Sequence, residues 1–174
     1  FIVKVDAKNE VYATYQSNGI VEKASNALVL GTADTVLDSS LSTVKQFAFY
    51  GSSIKSITVP ASMTSLEPGA FAGCTNLTQL KVEAGNAVYE DRGLNAVIEK
   101  ETDRLVAGCN TTFNNTYLDK SIKIIGAYAF AGSGISSPLG SSYMKEIEEY
   151  AFAYCENLGT ITIQKPTNII GAHA

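Results

Sequence analysis

Gly126-Ala127-Tyr128-Ala129-Phe130-Ala131-Gly132-Ser133 decides the fold because it recurs. Phe47-Ala48-Phe49-Tyr50-Gly51-Ser52, Gly69-Ala70-Phe71-Ala72-Gly73-Cys74 and Tyr150-Ala151-Phe152-Ala153-Tyr154-Cys155 are further copies. Each sets an aromatic residue or Gly before Ala-Phe and closes on Ser or Cys. Phe49 and Phe71 are 22 positions apart, and so are Phe130 and Phe152. A fixed period of this length is the mark of a solenoid, in which each short unit stacks on the next. The four Phe residues are expected to form a buried ladder, since the small Ala beside each permits close packing.

An apolar ladder follows each Ala-Phe turn: Ile54-x-x-Ile57-x-Val59, Leu77-x-x-Leu80-x-Val82 and Leu158-x-x-Ile161-x-Ile163. Two apolar residues two positions apart share one face of a strand. Lys55, Ser56, Thr58, Thr78, Gln79, Lys81, Thr160, Thr162 and Gln164 then fall on the opposite face, where one polar parallel-sheet surface is expected. In the fourth copy Pro138 removes a ladder donor, so that rung is read as irregular. A second short apolar run precedes each Ala-Phe, as in Met63-x-x-Leu66, Ile122-x-Ile124-Ile125 and Met144-x-x-Ile147. Strand, bend, strand is one coil of a superhelix.

A longer repeat contains the short one. Val3-Lys4-Val5-Asp6-Ala7-Lys8-Asn9 matches Leu80-Lys81-Val82-Glu83-Ala84-Gly85-Asn86, and Leu28-Val29-Leu30-Gly31 matches Leu105-Val106-Ala107-Gly108. Four extra residues near Phe113 to Thr116 then shift the register before Phe49 meets Phe130. The chain is therefore read as one domain over residues 1–174 with two tandem units, roughly 1–80 and 81–163. Each unit carries a long insert, near Asn9 to Ala33 and Asn86 to Asn110. In the second, Asn95 to Lys100 and Arg104 to Gly108 flank Glu101-Thr102-Asp103, which predicts a β-hairpin. Ala24-Ser25-Asn26 occupies the same place in the first. Asn168-Ile169-Ile170-Gly171-Ala172-His173-Ala174 resembles the start of another copy. Both ends are thus read as falling within a repeat, as in a fragment of a longer protein, and the start at Phe1 as following a removed or upstream region.

These repeats and inserts, from Ile125-Gly126-Ala127-Tyr128-Ala129-Phe130 and Ala70-Phe71-Ala72-Gly73-Cys74-Thr75-Asn76-Leu77 to Gly85-Asn86-Ala87-Val88-Tyr89, resemble the BspA-type leucine-rich repeat. The resemblance covers nearly the whole chain, with departures at Lys45, where Gly is expected, and at Pro138. It implies an α/β-type repeat solenoid: a leucine-rich-repeat right-handed superhelix with short parallel strands, little helix and two β-hairpin inserts. It also implies a secreted or surface-anchored bacterial protein, often a lipoprotein, of the kind found in Bacteroidetes. Its expected role is adhesion to host proteins, matrix or other bacteria, and it brings no catalytic residues.

The bulk properties narrow the function classes. The chain is 174 residues long, 45% hydrophobic and 17% charged, which suits a packed core. Its net charge of −4 argues against nucleic acid and against an anionic membrane surface as partner. No apolar run approaches the roughly 18 residues of a membrane span. Cys74 and Cys155 occupy slots that hold Ser52 and Ser133 in other copies, so both are read as small buried corner residues rather than disulfide or metal ligands. No Cys-x-x-Cys pair occurs and His173 is the only His, so no metal, cofactor or catalytic triad is expected. Glu146, Glu148 and Glu149 cluster, but without an Asp-rich loop they read as a solvated face.

Binding is left as the leading reading. Tyr50 and Tyr154 stand where other copies have Ala or Gly, and Tyr combines contact area with a polar tip. They are the aromatic contact candidates, with burial between coils as the alternative. Lys55, Thr58, Gln79, Lys81, Thr160 and Thr162 are the polar-face candidates, with a merely solvated sheet as the alternative. The expected partner is a protein or glycan, and open solenoid ends could also pair with each other. The competing class is a non-binding spacer that presents another domain.

Overall fold

The computed structural model describes residues 2–16, 18–112, 118–136, 139–140 and 142–174. The first insert forms β1 (Tyr12–Tyr15), β2 (Gly19–Glu22) and β3 (Ala27–Leu30). Two coils follow with β4 (Thr43–Val44), β5 (Ser56–Val59), β6 (Ser65–Leu66) and β7 (Gln79–Val82). The second insert forms β8 (Tyr89–Glu90), β9 (Ala96–Glu99) and β10 (Arg104–Gly108). The remaining coils carry β11 (Ile124–Ile125), β12 (Leu139–Gly140), β13 (Glu146–Ile147), β14 (Ile161–Thr162) and β15 (Ile169–Ile170). Among the described residues there is no helix. The extension near Phe113 to Thr116 and the Pro138 rung lie outside the described residues.

Parallel pairing between successive coils builds the solenoid. On one side β3 pairs with β4 and β4 with β6, placing Leu28, Val44 and Leu66 in one row. Further along, β10, β11, β13 and β15 align Leu105, Ile125, Ile147 and Ile170. On the other side β5 pairs with β7 and β12 with β14. Apolar residues fill the interior because strand alternation sends every second side chain inward. In β5, Ile57 and Val59 are buried while Ser56 and Thr58 are exposed.

Each insert contains the expected hairpin, β2–β3 and β9–β10, and adds a third antiparallel strand to it. The extra strand has a local cause. Asn86 Oδ1 accepts the N–H groups of Val88 and Tyr89 at 2.8 and 2.7 Å, and Asn9 Oδ1 accepts those of Val11 and Tyr12 at 2.9 and 2.7 Å. This side-chain turn re-aims the chain into β8 and β1. Asn86 is itself buried and donates to the carbonyls of Pro60 and Met63. Its polar groups are thus satisfied on both sides, as a buried amide requires. The Tyr89 hydroxyl accepts the N–H of Leu66 at 3.0 Å, covering the edge of β6 where the next parallel strand would sit.

The Ala-Phe turns stack as expected. Phe49, Phe71, Phe130 and Phe152 are all buried, with ring centroids 5.4 Å apart in the pairs Phe49–Phe71 and Phe130–Phe152. Backbone bonds run between turns: Phe49 N–H to Ala70 O at 2.9 Å, Gly73 N–H to Ala131 O at 2.8 Å, and Phe130 N–H to Ala151 O at 2.8 Å. The second of these joins the two units directly past the insert. Gly31 and Gly108 end the inserts under the first ring of each ladder, and a Cβ on either would overlap the ring of Phe49 or Phe130.

Two apolar clusters meet at the second insert. Val97 belongs to the cluster around Phe49 and Phe71, and Ala96 and Ile98 to that around Phe130 and Phe152. All three are completely buried, so β9 is covered on both faces.

Carboxylates clamp neighbouring coils from outside. Glu67 accepts the Gln46 N–H at 2.8 Å and pairs with Lys45 at 3.1 Å. This gives the departure from Gly at position 45 a physical role. Glu148 accepts the Ala127 N–H at 2.9 Å and pairs with Arg104 at 2.5 Å, so it is an inter-coil tie rather than part of a solvated face. The Gln46 N–H, and then Lys45, hold the Glu67 carboxyl below its ordinary range. Hydrogen bonds from Ser40 and Ser121 do the same for Asp38 and Asp119.

Two outcomes are expected. Phe49→Ala should cost about 3–5 kcal/mol of unfolding free energy, and Gly108→Ala about 1–3 kcal/mol by overpacking, both read by urea titration. The depressed carboxylates stay charged in the folded chain at pH values where the unfolded chain takes up protons. Their stabilisation is therefore full above the ordinary carboxylate range and is lost as pH falls below about 4. Melting curves from pH 7 to pH 2.5 should show this fall, with a shallower acid slope for Glu67→Gln.

Candidate functional site

The bend before each buried Phe has a fixed backbone geometry. The residue preceding Ala-Phe lies at positive φ in four coils, Phe47 at 59°, Gly69 at 75°, Tyr128 at 58° and Tyr150 at 54°, and so does His173, at 57°, which precedes Ala174 in the fifth. Bulky side chains rarely adopt this region, whereas Gly does so freely. In four of these five coils the position nevertheless holds an aromatic ring. The rings form a ladder on the outside of the bend. Tyr128 and Tyr150 stack at 4.8 Å, Tyr150 and His173 at 5.0 Å, and Phe47 meets Tyr128 edge-on at 5.3 Å. Phe47 reaches Tyr128 across the coil in between because Gly69 has no side chain there, and a Cβ on it would lie 2.6 Å from Phe47 Cε1.

A second positive-φ position closes each bend. It holds Gly51, Gly73 and Gly132 in three coils and Tyr154, at 60°, in the fourth. Gly132 is confined, since a Cβ would lie 2.9 Å from Gly73 Cα. Tyr154 is 80% exposed and Tyr50 70% exposed, so neither is buried between coils. The two mark the ends of a groove of about 490 Å³. Its floor is Ala72, Gly73, Ala131 and Gly132, and Phe47, Tyr128 and Tyr150 line it with Tyr50 and Tyr154. The floor is low because these two coils have small residues where their neighbours have Tyr50 and Tyr154.

The groove is electrically neutral. None of its described lining residues is charged. The Gly73 and Gly132 N–H groups are spent on Ala131 O and Ala153 O. Four tyrosine side chains, Tyr50, Tyr128, Tyr150 and Tyr154, bring hydroxyl groups to the lining. Desolvation, with lesser contributions from Tyr150 and Glu149, pushes the Tyr128 phenol above its ordinary range, so it stays a neutral donor at physiological pH.

The polar-face candidates lie elsewhere. Thr58, Gln79 and Lys81 are exposed on the β5–β7 ladder and Lys55 just before it, where Ser56 faces Gln79 and Thr58 faces Lys81 across the pairing. Thr160 and Thr162 are exposed on and beside β14, which pairs only with β12 among the described residues. The one expected polar sheet is therefore two separate ladders. The end of the second insert interrupts it: Asn110 N–H donates to Leu77 O at 3.1 Å, and Asn110 Oδ1 accepts the Gly134 N–H at 2.7 Å. Asn110 thus bridges the two coils between the two ladders.

The cysteines are structural. Cys74 and Cys155 donate to the carbonyls of Phe49 and Phe130, at 3.1 and 3.0 Å, one coil back in each unit. Burial pushes the Cys74 thiol up to about 12 and raises that of Cys155, so neither is a nucleophile at neutral pH. All three cysteines are free. Among the described residues no group of His, Cys, Asp and Glu could hold a metal ion.

A family profile for the BspA type leucine-rich repeat region matches residues 31–95 and 104–174, in six copies. The chain belongs to this family. Such leucine-rich repeats serve in general as protein-interaction modules. A leucine-rich repeat protein from Eubacterium ventriosum is similar in structure, with a TM-score of 0.69 and 23% identity over 79% of this chain and 37% of that one. The pneumococcal vaccine antigen PcpA matches with a TM-score of 0.55 and 19% identity, over 75% of this chain and 39% of its own. A leucine-rich cell surface protein from Faecalibacterium prausnitzii matches with a TM-score of 0.51 and 18% identity, over 74% and 34%. At these identities the likeness is one of fold, and the chain spans little more than a third of each of those proteins. No curated protein matches it. Among the described residues no helix is long and apolar enough to cross a membrane.

In this BspA-type array Tyr154 holds a strained backbone position that three other coils give to Gly, while its exposed ring packs on little. Tyr154→Gly should therefore leave the melting temperature unchanged or raise stability by up to about 1 kcal/mol, as strain is relieved against the greater freedom of Gly when unfolded. A drop of more than about 1 kcal/mol in urea titration would show that the ring carries packing energy instead.

Proposed function

We propose that the chain is a recognition module of an extracellular or cell-surface bacterial protein, engaging a host protein, matrix component or glycan through the groove between Tyr50 and Tyr154. One observation carries this reading. A large Tyr side chain is held exposed at a backbone position that suits Gly, beside a neutral trough lined by four further aromatic residues. Strained residues persist where something other than local stability retains them, and they cluster at ligand sites. Aromatic residues with a polar tip dominate contact surfaces because they desolvate cheaply and still hydrogen-bond. The reading also draws on the family and on matching proteins named as a vaccine antigen and a cell surface protein. The module is non-enzymatic in this reading.

The test is a solid-phase screen of the chain against immobilised matrix proteins, mucin and a glycan array, beside a variant carrying Tyr50→Ala and Tyr154→Gly. The expected result is a ligand that the chain retains and the variant loses, with both proteins melting together. A ligand retained by the variant would move the site to the Lys55, Thr58, Gln79 and Lys81 face. No ligand for either protein would favour the spacer reading.

A further inference from the structure

We infer that the Tyr50–Tyr154 groove receives an extended, uncharged, proline-rich segment of a partner protein in the polyproline II conformation. This rests on the recognition reading above and specifies its ligand. The first ground is charge. The molecule has a net charge of −4, yet the described lining of this trough presents no charged side chain, so an uncharged occupant loses no ionic hydration on entering. The second is hydrogen bonding. The floor N–H groups of Gly73 and Gly132 are already bonded, and tyrosine side chains bring hydroxyls to the lining. A polyproline II segment offers backbone carbonyls that hydroxyls can meet, and its prolines bring no N–H to satisfy. A saccharide would bury several hydroxyls per ring, and among the described lining residues no carboxylate, side-chain amide or guanidinium is there to pair with them, each unpaired group costing affinity.

The third ground is spacing. Successive coils lie 4.8 Å apart at the Tyr128–Tyr150 stack. Tyr50 and Tyr154 are three coils apart, so about 14 Å separates their levels along the array, taking the strand-like spacing as uniform. A polyproline II helix advances about 9.3 Å per three-residue turn. One such turn is therefore shorter than the distance between the two ring levels, and prolines at i and i+3 both fall within the groove that the two rings bound. Aromatic-lined grooves with tyrosine hydroxyls at their rims are a recurrent way of holding such segments, whose pre-formed backbone lowers the entropy lost on binding.

The probe is a capped decaproline peptide, titrated into the whole chain by isothermal calorimetry and by two-dimensional NMR. A Gly-Ser decapeptide and a linear glucose hexasaccharide serve as the other arms. Decaproline is expected to bind at least about tenfold more tightly than the Gly-Ser peptide, with shifts at Gly73 and Gly132. Tyr154→Gly and Tyr50→Ala should each weaken it by about fivefold or more while the melting temperature is kept. Binding of the hexasaccharide alone, lost in the same variants, would overturn the proline assignment and leave the groove as the recognition site. Decaproline binding that is unchanged in both variants, or no stronger than that of the Gly-Ser peptide, would overturn the inference. In the last case a tyrosine-dependent ligand in the solid-phase screen would still sustain the recognition reading, and its absence would remove both.

Discussion

The structure depends on how closely one Ala-Phe bend can approach the next. Adjacent bends exchange backbone hydrogen bonds such as Phe49 N–H to Ala70 O and Phe130 N–H to Ala151 O, so main chains must come within bonding distance while a ring sits between coil and core. The residue before each Phe is a buried Ala, and only Gly fits beneath the first ring of each ladder, at Gly31 and Gly108. With the backbone this tight, the interior must be filled from the bend by Phe and from the flanking strands by Leu, Ile, Val and Met. Large side chains that do not fill the core have one direction left, which is outward. The aromatic ladder and the groove are thus by-products of the geometry that packs the core.

That geometry also explains where the strain sits. A bend tight enough to stack needs positive φ both before Ala-Phe and at its close. Gly would serve at each position, yet Phe47, Tyr128, Tyr150, His173 and Tyr154 accept the conformation instead. Ring stacking at 4.8 to 5.0 Å offsets the cost for Tyr128, Tyr150 and His173. Tyr154 has no such partner among the described residues. Its neighbour in space is the trough itself.

Much of this was legible from the residues. The period between Phe positions fixed the coil length, Leu-x-x-Leu-x-Val fixed which strand residues turn inward, and Tyr50 and Tyr154 stood out as large residues in small-residue slots. What escaped was set by conformation or by contacts between distant segments. Nothing in the letters Tyr128 or Tyr150 encodes a positive φ, and the one clue was Gly69 occupying the same slot. The third strand of each insert is held by Asn86 and Asn9 side chains whose partners are backbone groups, so alternation of side chains does not reveal it. The polar face divides where Asn110 bridges two coils, a contact between distant segments that the irregular Pro138 rung hinted at but did not locate. Ser52 and Ser133 marked Cys74 and Cys155 as corner residues, but not their thiol bonds to the preceding coil.

The two-sided burial of β9 has a consequence for cooperativity. In a simple array each coil touches only its neighbours, so disorder can spread from an end one coil at a time. Here the second insert is shared: in β9 Val97 completes one apolar cluster and Ala96 and Ile98 the other, and in β10 Ala107 and Leu105 divide in the same way. Fraying that begins at β15 or at β1 stops mattering only to its own half once it reaches this insert, because losing β9 opens both interiors together. The insert acts as a keystone that couples two otherwise separable stacks into one folding transition, and it leaves the repeat boundary at the one place where the chain is least able to be divided.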